Sequence, residues 1–457
     1  MKNAWNKYDD KGIKEIFDFN EGYKNFISNC KTERECVKET IRIAEANGYK
    51  NLDDIISNNE ELRAGDKVYA NNMNKAIALF IIGEEPLEKG MKILGAHIDS
   101  PRLDLKQNPL YEEHDMALLD THYYGGIKKY QWVTLPLAIH GVVAKKDGSL
   151  IEIVIGEDES DPVIGISDLL VHLSQLQLEK KANKVIEGEA LDILIGSMPL
   201  KGDDKNAVKA NILKILKEKY NFEEEDFISA EFEIVPAGKA RDYGIDRSMV
   251  IGYGQDDRVC SYTSLMAMLE IDKIDKTCVC LLVDKEEIGS VGATGMQSKF
   301  FENTVAEVLD RLGEYSDIKL RRALKNSKML SSDVSAAYDP NYPSVMEKKN
   351  SAFFGRGIVF NKYTGARGKS GCNDANAEYL GELRGIMERN DVSYQTAELG
   401  KVDQGGGGTI AYILAAYNME VIDCGVALQN MHAPWEVASK VDIYEAMKGY
   451  VAFLKEA

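Results

Sequence analysis

The second half of this chain alternates short apolar runs with helical segments, and no other feature constrains its fold as much. After Gly254 the predicted elements are, in chain order, a helix over 258–269, strands over 278–283 and 328–331, a helix near 409–417, a strand over 420–427 and a last helix over 442–456. Strands that alternate with helices indicate a largely parallel sheet covered by helices. The sequence therefore predicts an α/β fold whose mixed sheet is largely parallel.

The region before Gly254 has a different character. Residues 12–48 show the apolar spacing of helices, and residues 76–98 are typical of a strand, a turn and a second strand. Further along, Lys145-Lys146-Asp147-Gly148 separates two apolar runs, and Asp-Gly in that position is a strong hairpin signal. We therefore predict a helical opening followed by a β-rich middle region.

A length of 457 residues exceeds what one hydrophobic core usually serves, so two domains are expected. The candidate catalytic motifs lie in the first and last parts of the chain, whereas the hairpin-rich middle contains none of them. We predict a discontinuous catalytic domain over residues 1–104 and 245–457. A smaller β-rich domain over residues 105–244 is predicted to interrupt it.

The charge balance excludes one class of partner. The formal net charge is -18, with 56 Lys and Arg against 74 Asp and Glu, and no basic block stands out. Such a surface repels phosphate backbones, so no nucleic-acid partner is expected, and the excess is interpreted as a solvated acidic surface.

The cysteines and the N-terminus indicate a cytoplasmic location. The seven cysteines form an odd set without a Cys-x-x-Cys pair, which fits a reducing compartment. Residues 1–7 lack the apolar core of a signal peptide, and the apolar stretch 76–82 is too short to span a bilayer. No membrane partner is expected.

Two adjacent carboxylates, Glu286 and Glu287, follow the apolar run 278–283. Far upstream, another apolar run ends in His97-Ile98-Asp99. A general base must stay off the metal while its neighbour binds it, so paired glutamates at a strand end are typical of metal-activated water chemistry. An imidazole ligand oriented by a nearby carboxylate is a common arrangement, which assigns Asp99 to His97. The pattern predicts a metallohydrolase.

Three further candidate ligands also lie at strand or helix ends. They are Asp256 at the start of a helix, Asp333 after a strand and His432 in a loop after another strand. Because carboxyl ends of strands share one crevice in an open α/β sheet, groups distant in sequence can meet there. Two histidines and three carboxylates suit two zinc-like ions with one bridging carboxylate. Spacing alone leaves open which residue of Asp256-Asp257 is the bridge.

Five segments resemble, in order, the motifs of the zinc aminopeptidase family that contains aspartyl aminopeptidase and vacuolar aminopeptidase I. They are Gly95-Ala96-His97-Ile98-Asp99-Ser100-Pro101-Arg102, Asp256-Asp257, Asp284-Lys285-Glu286-Glu287-Ile288-Gly289-Ser290, Ser331-Ser332-Asp333 and Asn430-Met431-His432. The resemblance spans nearly the full chain, and the order of the motifs is its specific part.

The resemblance implies roles for each of these residues. One metal would be held by His97, Asp256 and Asp333. The other would be held by Asp256, Glu287 and His432, with Asp256 as the bridge. Glu286 would be the general base and Asp99 would orient His97.

The resemblance also implies an interrupted catalytic domain and a homo-oligomer, a hollow tetrahedral dodecamer that admits short peptides. The inserted part would then serve dimerisation and substrate gating. The expected reaction removes the N-terminal residue of a short peptide with a free amine, Glu286 activating a water that bridges the metals. Two divalent ions per subunit are expected, zinc first, with manganese or cobalt also compatible with these ligands.

The resemblance implies substrate contacts at three places. Gly405-Gly406-Gly407-Gly408-Thr409 lacks the Lys and spacing of a P-loop, so we interpret it as a tight loop near the active site, with Gly407 as its substrate contact. Lys362 is the candidate for an acidic substrate side chain, although a surface loop is an equal alternative. His172 is the candidate for a histidine supplied across a subunit contact.

Two other functions remain open at this level. A related deacylase or carboxypeptidase would use the same ligands but bind a substrate carboxylate in place of an amine. A hollow scaffold with purely structural ions is the non-enzymatic alternative, and structural zinc sites are usually rich in cysteine, which this ligand set lacks. The preference for acidic or neutral N-terminal residues is also open.

Overall fold

The computed structural model describes residues 2–202, 205–272 and 274–457. The helices within these ranges are α1 (Asp10–Asn29), α2 (Glu33–Ala46), α3 (Leu52–Ser57), α4 (Gln175–Leu178), α5 (Ala207–Tyr220), α6 (Gln255–Leu269), α7 (Phe300–Arg311), α8 (Asp317–Lys325), α9 (Ala366–Lys369), α10 (Ala377–Arg389), α11 (Ala411–Ala415) and α12 (Lys440–Glu456). The strands are β1 (Lys50–Asn51), β2 (Lys67–Asn72), β3 (Ala76–Ile81), β4 (Lys92–His97), β5 (Arg102–Glu113), β6 (Met116–Tyr124), β7 (Leu137–Ala144), β8 (Leu150–Ile155), β9 (Ile193–Gly196), β10 (Ala230–Pro236), β11 (Arg241–Tyr243), β12 (Met249–Gly252), β13 (Cys278–Val283), β14 (Lys328–Ser331), β15 (Ser335–Ala336), β16 (Ile358–Asn361), β17 (Tyr394–Thr396), β18 (Glu420–Gly425), β19 (Ala427–Gln429) and β20 (Glu436–Ser439).

The chain divides into two compact units. The larger unit comprises Met1–Asp99, Ala240–Met431 and Glu436–Ala457, and the smaller comprises Ser100–Lys239 and His432–Trp435. The catalytic and gating roles assigned to the two parts from the sequence stay predictions.

The larger unit is built on a nine-stranded sheet in the order β1-β2-β3-β13-β4-β14-β18-β16-β17. Its four central strands, β13, β4, β14 and β18, are all parallel to their neighbours within that group. Strands β3 and β16 flank this group and run antiparallel to it. The prediction of a mixed, largely parallel sheet is therefore confirmed.

Both faces of this sheet are buried, and side chains alternate between them. Along β13, Cys278, Cys280 and Leu282 join one apolar cluster while Val279 and Leu281 join the other. This two-residue period follows from the pleat of a strand, and covering both faces with helices explains why the strands are continuous apolar runs in the sequence.

A second sheet in the larger unit has the order β11-β12-β20-β19-β15. Strands β19 and β20 form an antiparallel pair, and the loop between them carries His432. The smaller unit contains a six-stranded sheet, β8-β7-β10-β5-β6-β9, in which every pair is antiparallel. Its β7–β8 pair confirms the hairpin predicted at Asp147-Gly148.

Two predicted elements end differently in the structure, and one expected strand pair is separated by another strand. The helix expected near 409–417 is only α11, Ala411–Ala415, because the preceding glycines keep the backbone non-helical. The strand expected over 420–427 ends at Gly425, and β19 starts separately at Ala427 in the second sheet. The two strands within 76–98 are not paired, since β13 lies between β3 and β4.

All seven cysteines are free thiols, and six of them are buried. Burial raises the pKa of the Cys280 thiol, which keeps it in its neutral form. These residues therefore behave as small apolar side chains. Across the described ranges, none of the helices has both the length and the apolar character needed to cross a bilayer.

Asp442, in the first turn of α12, provides a test of core stability. Its carboxylate is buried and accepts hydrogen bonds from the backbone N–H groups of Gly355 and Gly357, at 2.8 and 2.6 Å. Asp442→Ala leaves both donors without this partner, so we expect the free energy of unfolding to fall by roughly 3 kcal/mol. Urea titration measures the free energy of unfolding. The control is Asp310→Ala, at a half-exposed side chain, which is expected to change stability by less than about 0.5 kcal/mol. Equal effects of the two substitutions would contradict the prediction.

Candidate metal centre

Three neighbouring parallel strands end together at one edge of the main sheet. Strands β13, β4 and β14 lie side by side and end at Val283, His97 and Ser331. Residues that follow parallel strands gather in the crevice at their carboxyl ends. This is why Glu286, Glu287 and Asp333, each a few residues beyond its strand, share a site with His97.

His97 is 1% exposed and lies between two aspartates. Its Nδ1 is 3.0 Å from the Asp99 carbonyl oxygen and 3.3 Å from Asp99 Oδ1, while its Nε2 is 3.2 Å from Asp256 Oδ1. Burial opposes a charged ring, but hydrogen bonds to Asp256 and Asp99 outweigh it and raise the pKa of His97 well above its ordinary value. With Nδ1–H donating to Asp99, the second proton of the ring is on Nε2, the nitrogen that faces Asp256 and that a metal ion would bind in place of that proton.

Asp99 also fixes the two glutamates. Its Oδ1 accepts a hydrogen bond from the backbone N–H of Glu286 at 3.1 Å, and its Oδ2 accepts one from Glu287 at 3.2 Å. The same carboxylate therefore contacts the histidine ring and the start of the turn Glu286–Ile288. One buried side chain sets the relative positions of three candidate functional groups.

Two overlapping groups of side chains in the larger unit could hold a metal ion. They are His97 with Asp256 and Asp333, and His97 with Glu286 and Glu287, and within each group the ligand atoms lie within 4.8 Å of one another. Donors bound at about 2.0–2.2 Å to a tetrahedral ion are roughly 3.4 Å apart, so small shifts would close either group around a cation. Imidazole nitrogen and carboxylate oxygen are also donors that zinc accepts. The residues present fit a divalent metal.

The buried acidic groups around these side chains also favour a bound cation. Burial, followed by repulsion from Asp257, raises the pKa of Asp333 well above its ordinary value, and Glu286 and Asp256 add to the effect. Burial likewise raises the pKa of Asp257 and of Asp284. Several acidic groups packed out of water are favourable as anions only with a compensating positive charge. A bound cation would supply that charge.

Sequence reasoning did not identify several groups that hold these ligands. Ser261 Oγ donates to the His97 carbonyl oxygen at 2.8 Å, and Arg258 Nε donates to the Ile98 carbonyl oxygen at 3.0 Å. Glu436 Oε2 accepts a hydrogen bond from the Asp256 N–H at 3.1 Å. These contacts join helix α6 to the end of β4 and strand β20 to α6, and no short motif marks them.

Asp257 is the other residue that spacing left undecided. It is fully buried, and its Oδ2 lies 3.4 Å from the backbone nitrogen of His97. Asp256, in contrast, has the oxygen near His97 Nε2. The arrangement favours Asp256 as the ligand and Asp257 as a support of the strand end.

The chain matches a known protein family over most of its length. The family model described as "Aminopeptidase I zinc metalloprotease (M18)" matches residues 26–454. The chain belongs to this family. A probable M18 family aminopeptidase 1 from Clostridium acetobutylicum is 70% identical over 454 residues, 99% of this chain and 98% of the relative. The prediction of a metallo-aminopeptidase, a peptide hydrolase, is thus confirmed, as is the family resemblance.

Solved structures of M18 proteins have the same fold. A crystal structure of the M18 aminopeptidase from Thermotoga maritima gives a TM-score of 0.96 at 44% identity, covering 100% of this chain and 99% of that one. A solved structure of the S. cerevisiae mApe1 dodecamer gives a TM-score of 0.78 at 20% identity, covering 96% of this chain and 97% of that one. The second likeness supports the fold alone.

The two remaining predicted histidines belong to the smaller unit of this M18 chain. His432 lies in the segment His432–Trp435, where its Nδ1 is 2.9 Å from the Gly126 carbonyl oxygen. A hydrogen bond there leaves the lone pair on Nε2, the form a metal ligand needs. His172 is exposed in the turn Val171–Leu173. The ligand role of His432 and the subunit-crossing role of His172 stay predictions.

Two predicted substrate contacts of the M18 chain lie in loops of the larger unit. Lys362 Nζ is 2.6 Å from Asp374 Oδ1, and Lys369 Nζ is 2.8 Å from the other oxygen of the same carboxylate. The Gly407 N–H donates to the Thr364 carbonyl oxygen at 3.2 Å. Both loops are thus held by internal contacts, and their substrate roles stay predictions.

Proposed function

We propose that this M18 protein is a dinuclear zinc aminopeptidase that removes the N-terminal residue from short peptides. His97, Asp256 and Asp333 would hold one ion. Asp256, Glu287 and His432 would hold the other. Glu286 is the general base and Asp99 the residue that orients His97. Manganese or cobalt would serve in the same sites, since these ligands do not select zinc alone.

The observation that carries the proposal is the position of Asp99. Its carboxylate lies against His97 Nδ1 and accepts the N–H groups of both Glu286 and Glu287. Glu286 Oε2 is 3.9 Å from His97 Nε2, so the candidate base lies beside a ligand with its position fixed by the backbone. A base held in this way can reach a water that shares the ligand's ion.

The residues of the chain would perform three steps in the reaction. Two divalent ions bound here would lower the pKa of a water and polarise the scissile carbonyl. Glu286 accepts a proton from the attacking water. The Gly-rich loop at 405–408 orients the peptide backbone of the substrate. Glu286 then donates its proton to the leaving amine.

Aminoacyl anilides test the proposed substrate class directly. We expect hydrolysis of anilides with a free α-amine by the zinc-loaded protein and little or no hydrolysis of the N-acetylated versions. A panel of acidic and neutral residues measured by release of the aniline chromophore also gives the preferred side chain. A preference for acetylated substrates would favour a deacylase. Release of C-terminal residues would favour a carboxypeptidase.

We also propose that the protein works in the cytoplasm as a homo-oligomer, a tetrahedral dodecamer. The free cysteines fit a reducing compartment, and the S. cerevisiae protein of the same fold is a dodecamer. The smaller unit would provide dimer contacts and gate substrate entry. Native mass spectrometry should then give about 611 kDa, twelve times the 50.9 kDa of one chain. A monomer at micromolar concentration would contradict this proposal.

A further inference from the structure

The smaller unit contains an apolar cavity of about 190 Å³ that has no part in the proposed chemistry. Fifteen described residues line it, and none of them is a candidate metal ligand, general base or substrate contact. All fifteen are leucine, isoleucine, valine, proline or phenylalanine, so none of these side chains carries a polar atom. The cavity therefore offers contacts to apolar groups alone.

One face of the six-stranded sheet forms the floor of this cavity, and every strand of the sheet contributes to it. The side chains are Leu105 of β5, Leu119 of β6, Ile139 of β7, Ile153 of β8, Ile195 of β9 and Phe232 of β10. Leu119 and Ile153 are each 2% exposed, and Phe232 is 6% exposed. The cavity therefore extends into the interior of the smaller unit.

The roof of the cavity explains why this space is not filled. Helix α5 contributes three side chains to it and approaches β9, where a Cβ on Gly196 would come within 2.8 Å of Ile212. A helix is about 10–12 Å across with its side chains, whereas six strands about 4.8 Å apart span roughly 24 Å. One helix cannot cover such a face. The short segments 162–164 and 222–227 provide the rest of the roof.

Three phenylalanine rings form one wall of the cavity. The ring centroids of Phe222 and Phe227 are 4.6 Å apart, with the ring planes at 78°. The Phe232 centroid lies 6.0 Å from that of Phe222 and 6.1 Å from that of Phe227. Tilted rings present both edges and faces to a neighbour, and these are the contacts that aromatic groups prefer. The wall therefore suits an aromatic ring as well as an alkyl chain.

The cavity reaches the surface at Val163 and Ile215. Both residues line it, and they are 54% and 37% exposed. Val163 belongs to the segment 162–164 and Ile215 to α5, so the mouth lies between two parts of the roof. A small molecule can enter there without separating the strands of the floor.

We propose that this cavity is a binding site for a small uncharged apolar molecule, an aromatic ring or a short alkyl chain. Water is a poor occupant, because a buried water needs two to four polar partners and the lining side chains offer none. A cavity of about 150 Å³ lined by the same residue types stays dry and binds benzene or xenon. The inference does not depend on the proposed function, since the lining residues include no candidate site residue.

Toluene is the test ligand, titrated into the full-length, zinc-loaded protein by isothermal titration calorimetry. We expect a Kd of about 1 mM or lower, which is ordinary for a ligand of about seven heavy atoms. Phenol has nearly the same size, but its hydroxyl would be buried without a hydrogen-bond partner. It should therefore bind at least about tenfold more weakly than toluene.

Substitutions that occupy the cavity locate the binding. Ile139→Trp fills part of the space from the floor and should weaken toluene binding at least about tenfold. Val154→Trp is the matched control, because Val154 is 42% exposed and its neighbours Ile153 and Ile155 line the cavity from the opposite face of β8. This control should bind toluene within about twofold of the unsubstituted protein. If Ile139→Trp does not fold, Ile215→Trp at the mouth decides, with the same expected loss.

A crystal pressurised with xenon gives a structural readout, and we expect xenon between α5 and the sheet. Absence of toluene binding would overturn the inference, whether the cavity closes in solution or a side chain of a second copy fills it. Unchanged toluene binding in the folded Trp variants of Ile139 and Ile215, or phenol binding as tight as toluene, would also overturn it. A protein that binds toluene here but hydrolyses no peptide with any metal contradicts the proposed function alone.

Discussion

Replacing Glu286 by Gln is expected to lower kcat by roughly two to four orders of magnitude, the usual contribution of a general base. The amide keeps the shape of the side chain and the backbone N–H that donates to Asp99 at 3.1 Å, so the site should stay assembled. We expect KM within a few-fold and two metal ions per chain, as found by elemental analysis of the same sample. Steady-state kinetics on a free-amine anilide provides the rate.

Glu287→Gln is the matched control for this experiment. The two glutamates are adjacent, and their N–H groups bind the two oxygens of the same carboxylate. The amide is a poorer ligand, so this variant should lose part of its metal, while Glu286→Gln should not. Near-normal turnover in Glu286→Gln with both metals bound would rule out its role as base. Loss of metal from Glu286→Gln alone would show that the roles are reversed.

Metal removal is the second change with a very large expected effect. Stripping the protein with a chelator should lower activity at least about a thousandfold, because the pKa of a water without the ions returns from about 7 to 15.7. Zinc, manganese or cobalt should each restore activity to some degree. No loss on complete stripping, confirmed by elemental analysis, would contradict a metal-dependent mechanism.

Metal removal should also lower stability in a way that depends on pH. Burial raises the pKa of Asp333 and Asp257, so in the metal-free protein these groups hold protons more tightly when folded than when unfolded. Their ionisation then penalises folding increasingly as pH rises above their unfolded pKa near 4. The pKa of His97 is also raised, so its ring stabilises the metal-free fold at low pH. This stabilisation is lost as pH rises through the folded pKa of His97. The difference in melting temperature between metal-loaded and stripped protein should therefore grow from pH 5 to pH 8, and a difference that shrinks over this range would contradict the account.

The sequence predicted the strands that carry the site because their signal is local. The runs 278–283 and 328–331 match β13 and β14, since strands buried on both faces are continuous apolar stretches. Polar residues at the ends of such runs, such as His97 and Glu286-Glu287, are then candidate site residues, because ligands bind at the carboxyl ends of parallel strands. Strand order was not predictable in this way. The insertion of β13 between β3 and β4 pairs residues about 200 positions apart, and no local pattern encodes it.

By itself, the amino-acid sequence determined the α/β class, the family and the chemical type of the site, because these depend on periodicity and on which side chains are present. The tertiary structure alone decided how the ligands are held. Asp99 binding two glutamate N–H groups, Ser261 binding the His97 carbonyl oxygen and Glu436 binding the Asp256 N–H are all contacts between distant segments. Each is a hydrogen bond whose partner is chosen by three-dimensional packing, and a one-dimensional pattern carries no record of it.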